Sequence, residues 1–241
     1  MKNVIRGIIV FSALAGAVSL SAQTADEIVA KHLAAIGGKE AISQVKSISM
    51  ESSMQIMGSD APSTTVILDG VGYKNETDFN GAKIVQCFNS KGGWNVNPMA
   101  GAPDPTPMPD DEYNAGKAQM NVGGALYDYA AKGSKIELLG KDADTYKIKL
   151  TSKENVEAVY VIDSTTYFIK SLTTKGKMQG QDVDITTTLS DYRKTDVGYF
   201  IPYVINVDLG GQFSLSITLK KIELNKTIDP AIFAMPTAGK S

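Results

Sequence analysis

One cysteine in 241 residues rules out an intramolecular disulfide, so a hydrophobic core has to hold this chain together. One histidine, His32, is too few for the converging ligands of a zinc site. No Gly-x-Ser-x-Gly elbow supplies a nucleophile for it to activate. Beyond residue 22 no apolar run reaches the length of a membrane span. Positive charge is also scarce: 24 basic residues face 26 acidic ones, a net charge of −2 that makes nucleic acid a poor partner.

What is present begins with an export pattern. Lys2 and Arg6 precede the apolar stretch Gly7 to Val18, and Ser21-Ala22 ends in small residues before Gln23. This is the form of a signal peptide over residues 1–22, cleaved after Ala22, and it directs the mature chain to export. The residue directly after that site is Gln23 and not cysteine, which argues against a lipid anchor there. Residues 23–241 show no shift of composition and are expected to form a single domain.

Thr24-Ala-Asp-Glu27 has the form of a capping box, in which Thr24 and Glu27 satisfy free amide donors at a helix start. Ile28, Val29, Leu33 and Ile36 then share one face, and Gly37-Gly38 stops the helix. A weaker helical turn follows from Lys39 to Val45. From Ser47 the period becomes two, with Ile48, Met50, Met54 and Ile56 on one side of a strand. Val66 and Leu68 continue after a turn at Pro62. Further strands are expected at 73–79, 82–89 and 94–96.

Pro98 to Pro109 holds five of the nine prolines and is expected to be an extended, solvent-facing excursion rather than a strand. Asp110-Asp111-Glu112 suits a helix start, and Tyr113 to Ala131 is helix-permissive until Gly123-Gly124 breaks it. Strands resume at 136–139, 146–151, 156–163, 167–174 and 183–192. The strongest pattern comes last: Ile201, Tyr203, Ile205, Val207 and Leu209 alternate with polar residues, then Phe213, Leu215, Ile217 and Leu219 do the same. Gly210-Gly211 between them is a two-residue hairpin turn. A sheet with one apolar face must cover it with protein or with ligand.

Catalytic chemistry finds little support. His32 falls within the apolar arc of the first helix and is better explained as a core-edge residue, and Cys87 as a small buried hydrophobe. Asp142/Asp144 and Asp182/Asp184 lack the glycine and distal glutamate of a calcium loop. No enzyme activity, metal or cofactor is therefore expected. Met50, Met54 and Met57 on the first strand and Met99, Met108 and Met120 around the proline segment suit an adaptable apolar surface, and equally an ordinary core.

The run Thr24 to Gly38 followed by Ala41-Ile42, together with Tyr160-Val-Ile-Asp163, Met178-Gln-Gly180, Asp191-Tyr192-Arg193, Phe200-Ile-Pro202 and Phe233-Ala-Met-Pro236, resembles the LolA/LolB-like outer-membrane lipoprotein-sorting family over nearly the whole mature chain. These motifs mark structure rather than catalysis. The resemblance implies an α+β, mostly antiparallel fold: a curved, unclosed β-barrel, or half-barrel, with helices on its concave side. It implies a hydrophobic cavity for acyl chains, with lipid or acylated protein as ligand, envelope membrane proteins as donor and acceptor, and a monomeric carrier. The arginine latch of such carriers has no matching position, the one arginine of the mature chain being Arg193 on a late strand.

On that resemblance the cavity walls are expected to be Met50, Met54, Val66, Leu68, Trp94, Ile201, Tyr203, Ile205, Phe213, Leu215 and Ile217. The lid is expected from Ile28, Leu33 and Ile36 of the first helix and from Met108 and Met120 within segment 98–131. A non-catalytic structural or interaction module of the cell envelope with a fully packed interior is the alternative.

Overall fold

The computed structural model describes residues 23–56, 58–178 and 180–237; the expected signal peptide and Met57 lie outside them. Thr24 caps helix α1 (Ala25–Ala35), accepting from the Glu27 amide while the Glu27 carboxylate accepts from the Thr24 amide. Helix α2 (Gly38–Gln44) follows at once. The joint is tight because Gly37 has φ 122° and a Cβ there would stand 2.5 Å from the Gly198 carbonyl oxygen.

Thirteen antiparallel strands among the described residues then form one sheet. They are β1 (Ser47–Ile56), β2 (Ser59–Leu68), β3 (Gly72–Phe79), β4 (Ala82–Asn89), β5 (Gly92–Asn97) and β6 (Ala102–Pro107) in the first wing. The second wing holds β7 (Lys135–Asp142), β8 (Thr145–Thr151), β9 (Glu157–Asp163), β10 (Ile169–Met178), β11 (Gln181–Lys194), β12 (Phe200–Leu209) and β13 (Phe213–Leu224). Every pair but one joins strands consecutive in sequence. The exception, β1 with β13, sews the wings together at the centre and leaves β6 and β7 as free edges of an unclosed, curved sheet. Gly210 and Gly211, at φ 64° and 70°, make the tight turn between β12 and β13.

The proline segment corrects the sequence expectation, since residues 102–107 are a strand. Met108 donates to the Gly93 carbonyl at 2.9 Å, which turns the nitrogens of Pro105 and Pro107 toward the outer side. There a missing N–H costs no ladder bond and denies one to any further strand. Pro62 likewise lies inside β2 and not at a turn, just beyond the last β2–β3 pair, Ser63 with Thr77. The following helix starts at the acidic triplet, as expected, but stops earlier: α3 spans Asp110–Gly116 and a 3-10 turn spans Lys117–Met120. A Cβ on Gly116 would lie 2.3 Å from the Phe88 ring, so glycine is what allows α3 to lie this close to the sheet.

Strands β6 and β7 are consecutive in the chain yet occupy opposite edges, so residues 108–134 must cross the sheet. The crossover packs on the concave side with α1 and α2, where Val122 and Leu126 join Ile28, Val29, Leu33, Ile36 and Ile42 over Ile48, Ile148, Tyr160, Ile162 and Ile201. The opposite face of the first wing is covered too. The C-terminal segment crosses it and seats Phe233 on Val85, Cys87 and Trp94, with Val66, Leu68 and Ile228 around them. The Phe233 carbonyl accepts from Asn89 Nδ2 at 2.8 Å and Trp94 Nε1 at 3.0 Å. Burial pushes the Cys87 thiol up to about 12, which suits an inert core residue.

Candidate functional site

Strand register decides which side chains meet on the concave face. Met50, Met54, Ile205, Phe213, Leu215 and Ile217 share it with the helices, since Met54 pairs with Ile217, Ile217 with Ile205, and Leu209 with Phe213. Ile201 and Tyr203 follow on the same side. Val66, Leu68 and Trp94 do not, because Trp94 pairs with Cys87, Cys87 with Lys74 and Lys74 with Val66 on the face beneath the C-terminal segment. Three of the expected wall residues therefore sit in a separate, protein-filled cluster.

The concave face is covered at one end and open at the other. Ile201 is 7% exposed beneath the helices, and Met50, Tyr203, Ile205 and Ile217 fringe that core. Toward the tips of the hairpins the helices give out. Ala61 and Phe79 form a small cluster there with partly buried Met54, Ile84, Phe213 and Leu215. Beyond it the wall continues through Ile185, Leu189, Val207 and Leu209, half-buried and outside every packed cluster. Register places them together, Leu189 opposite Ile205 and Ile185 opposite Leu209. Their alternation along β11 and β12 is visible in the sequence; that they would be left uncovered is not. A Cβ on Gly176 would lie 2.3 Å from Ile185 Cδ1, so glycine there makes room for the Ile185 side chain.

The crossover lies over the covered end of the concave face, next to this wall, and is tied at both ends. On the first wing Gly70 donates to the Met120 carbonyl and Asp69 accepts from the Val122 amide. Met108 and Met120 pack with Phe88, Tyr73 and Tyr113, while Ile28, Leu33 and Ile36 lie in the main core. On the second wing Tyr199 donates to the Val122 carbonyl at 2.8 Å, and burial pushes its phenol up to about 12, so it stays a neutral donor. Two ion pairs complete the attachment: Lys117 with Glu154 at 2.7 Å and Asp111 with Lys177 at 3.1 Å. Lysine beside each carboxylate holds Glu154 and Asp111 below their ordinary range. Arg193, by contrast, pairs with Asp191 and stacks 4.2 Å over Tyr203, with no ion pair to the crossover among the described residues.

His32 is buried on α1, its Nδ1 2.9 Å from the Tyr167 carbonyl, and no base or nucleophile partners it. Asp142, Asp144, Asp182 and Asp184 are exposed. Among the described residues no three His, Cys, Asp or Glu side chains converge as metal ligands would. Two open depressions, of about 730 and 440 Å³, are lined by polar groups such as Glu51, Thr64, Glu76 and Lys83 in the first and Gln55, Asn206 and Ser216 in the second. Open to solvent and edged by these polar groups, they give poor shelter to an acyl chain. The apolar concave wall is the candidate site. No helix among the described residues is long and apolar enough to cross a membrane.

No family model and no curated protein matches this chain by sequence. Solved structures do match its fold. A LolA superfamily protein from Nitrosomonas europaea superposes with a TM-score of 0.58 at 11% identity, over 88% of this chain and 98% of the other. A DUF1329 family protein from Desulfovibrio piger gives 0.57 at 13% identity, over 87% and 97%. A domain from Vibrio parahaemolyticus assigned to outer membrane lipoprotein sorting gives 0.53 at 14% identity, over 86% and 94%. At such identities the likeness is one of fold.

Proposed function

We propose that this chain is an exported, non-catalytic carrier that binds lipid or acylated protein on the concave face of its half-barrel and hands it on within the bacterial envelope. The observation that supports this is the uncovered apolar wall of Ile185, Leu189, Val207, Leu209, Leu215 and Met54 beside a tethered crossover. A purely structural module would be expected to close such a face, as this chain closes the opposite one with Phe233. Shielding an acyl chain of about fourteen carbons is worth roughly 10 kcal/mol at about 0.8 per methylene. Ligand entry is then a competition between chain and crossover for the same apolar surface. With no nucleotide motif in the sequence, transfer runs down an affinity gradient to an acceptor.

Native mass spectrometry of protein taken from the host envelope tests this. A bound lipid or acylated peptide is expected, and Leu189→Arg should abolish it while the protein stays folded. Ligand-free protein that also ignores a fluorescent fatty acid would leave the packed envelope module as the better description.

A further inference from the structure

The concave face of the first wing is divided by a row of uncharged polar side chains. Register runs it across the strands: Ser52 opposite Ser63, Ser63 opposite Thr77, Asn75 opposite Gln86, Gln86 opposite Asn95, and Asn95 opposite Thr106. Apolar residues flank it on both sides, Met54, Phe79 and Ile84 toward the hairpin tips and Tyr73, Phe88 and Met108 toward the crossover.

The inner part of the row is satisfied by the protein itself. Asn75 Nδ2 donates to Ser63 Oγ and Thr65 Oγ1, both at 2.9 Å, and Thr77 donates to Ser63 Oγ at 2.9 Å. The outer part is less closed, Thr106 alone donating to a carbonyl of its own strand, that of Asp104, at 3.0 Å. Gln86 and Asn95 are partly exposed and Thr106 is exposed. From α3, Glu112 lies beside Asn95. Lys74 and Lys83 of the same strands point to the other face, paired with Cys87 and Asp78. Among the described residues, then, the concave side of β2 to β6 carries no cation.

An acyl chain alone gains nothing from a row of amides, and amides left facing apolar surface without partners are costly. The second wing offers the contrast, with Leu172, Ile185, Leu189, Ile205, Val207 and Ile217 facing the same space. We infer that Gln86, Asn95 and Thr106, with Glu112 above them, form a subsite for the uncharged, hydroxyl-rich head group of an amphipathic lipid whose chains lie on the second wing. Side-chain amides offer both donors and acceptors to hydroxyls, whereas a phosphate would meet the Glu112 carboxylate, the lysines of the crossover attachment, Lys117 and Lys177, being already paired with Glu154 and Asp111. This inference rests on the carrier reading and adds the chemistry of the ligand's polar end.

The test is displacement of a fluorescent fatty acid from the mature protein by three lipids with the same acyl chains: diacylglycerol, glycosyl diacylglycerol and phosphatidylglycerol. The glycosyl lipid is expected to compete about tenfold better than diacylglycerol, the gain of one or two neutral hydrogen bonds, and phosphatidylglycerol no better than diacylglycerol. Gln86→Leu and Asn95→Leu should bring the glycosyl lipid within about twofold of diacylglycerol while leaving diacylglycerol unchanged. Gln86→Met, closer in shape, covers the case in which leucine prevents folding. Equal competition by all three lipids, a preference for phosphatidylglycerol, or a glycosyl preference that survives in folded Gln86 and Asn95 variants would overturn the subsite alone. Failure of the fatty acid to bind at all would remove the carrier reading and the subsite with it.

Discussion

Truncating Phe233 separates the two faces of the sheet experimentally. Its ring is 1% exposed and lies on Val85, Cys87 and Trp94. Below it Gly72 leaves a notch, where an added Cβ would come within 2.3 to 2.6 Å of three ring carbons. Burying roughly 150 to 250 Å² of aromatic surface at about 25 cal/mol per Å² is worth about 4 to 6 kcal/mol. Phe233→Ala retains the backbone carbonyl that Asn89 and Trp94 bind, so the loss should be that of an aromatic truncation, about 3 to 5 kcal/mol. Gly72→Ala alone should cost about 1 to 3 kcal/mol through overpacking. In the Phe233→Ala background the same methyl enters the vacated space, and its cost should vanish. Urea denaturation of the four proteins near neutral pH measures this directly, provided the m-values agree. A coupling of at least about 1 kcal/mol is expected, with no change in fatty-acid affinity among the folded variants, because the ring and the concave wall are on opposite faces. Additive effects, a Phe233→Ala loss below about 1 kcal/mol, or weakened fatty-acid binding by a folded variant would show that the face assignment is wrong.

Two further perturbations address the concave side. Burial lowers the pKa of His32 below its ordinary value of about 6.5, and the hydrogen bond to the Tyr167 carbonyl only partly opposes this. The unfolded chain therefore binds a proton that the folded one resists: the stability from neutral His32 is fully present above about pH 6.5 and is lost as pH falls toward the lower folded value. Thermal melts between about pH 5 and 8 should show that slope, and His32→Gln should flatten it; an unchanged slope would acquit the histidine. Removing both crossover ion pairs, with Lys117→Ala and Lys177→Ala, should cost no more than about 1 kcal/mol, since Lys177 and Asp111 are exposed and Lys117 and Glu154 partly so. Hydrogen exchange should nonetheless speed up across residues 110–120, along with fatty-acid association. Uniform acceleration across the sheet would mean that the pairs serve global stability and not the crossover.

How much of this was legible in advance differs by element. The Thr24 capping box, the Gly210-Gly211 turn and the alternation of β12 and β13 appear where the sequence put them, because each depends on neighbours a few residues away. The β6 strand was hidden because proline disqualifies a central strand and only its position at an edge restores it. The end of α3 was placed too late, with Gly116 read as one more permissive residue when its role is contact with Phe88. Val66, Leu68 and Trp94 were grouped with Met50 and Met54 because β2 and β4 carry apolar side chains on both faces, and alternation cannot say which face is concave.

The sequence by itself determined the strands, their turns, the capped first helix and the absence of any staple or metal-ligand pattern, all of them short-range or compositional properties. Tertiary structure decided the β1–β13 pairing that leaves the sheet unclosed, and with it the crossover of residues 108–134. It also decided that Phe233 fills one face while Ile185, Leu189, Val207 and Leu209 stay open on the other. Period two fixes only that neighbouring side chains point in opposite directions. What covers each side is set by contacts between segments more than a hundred residues apart.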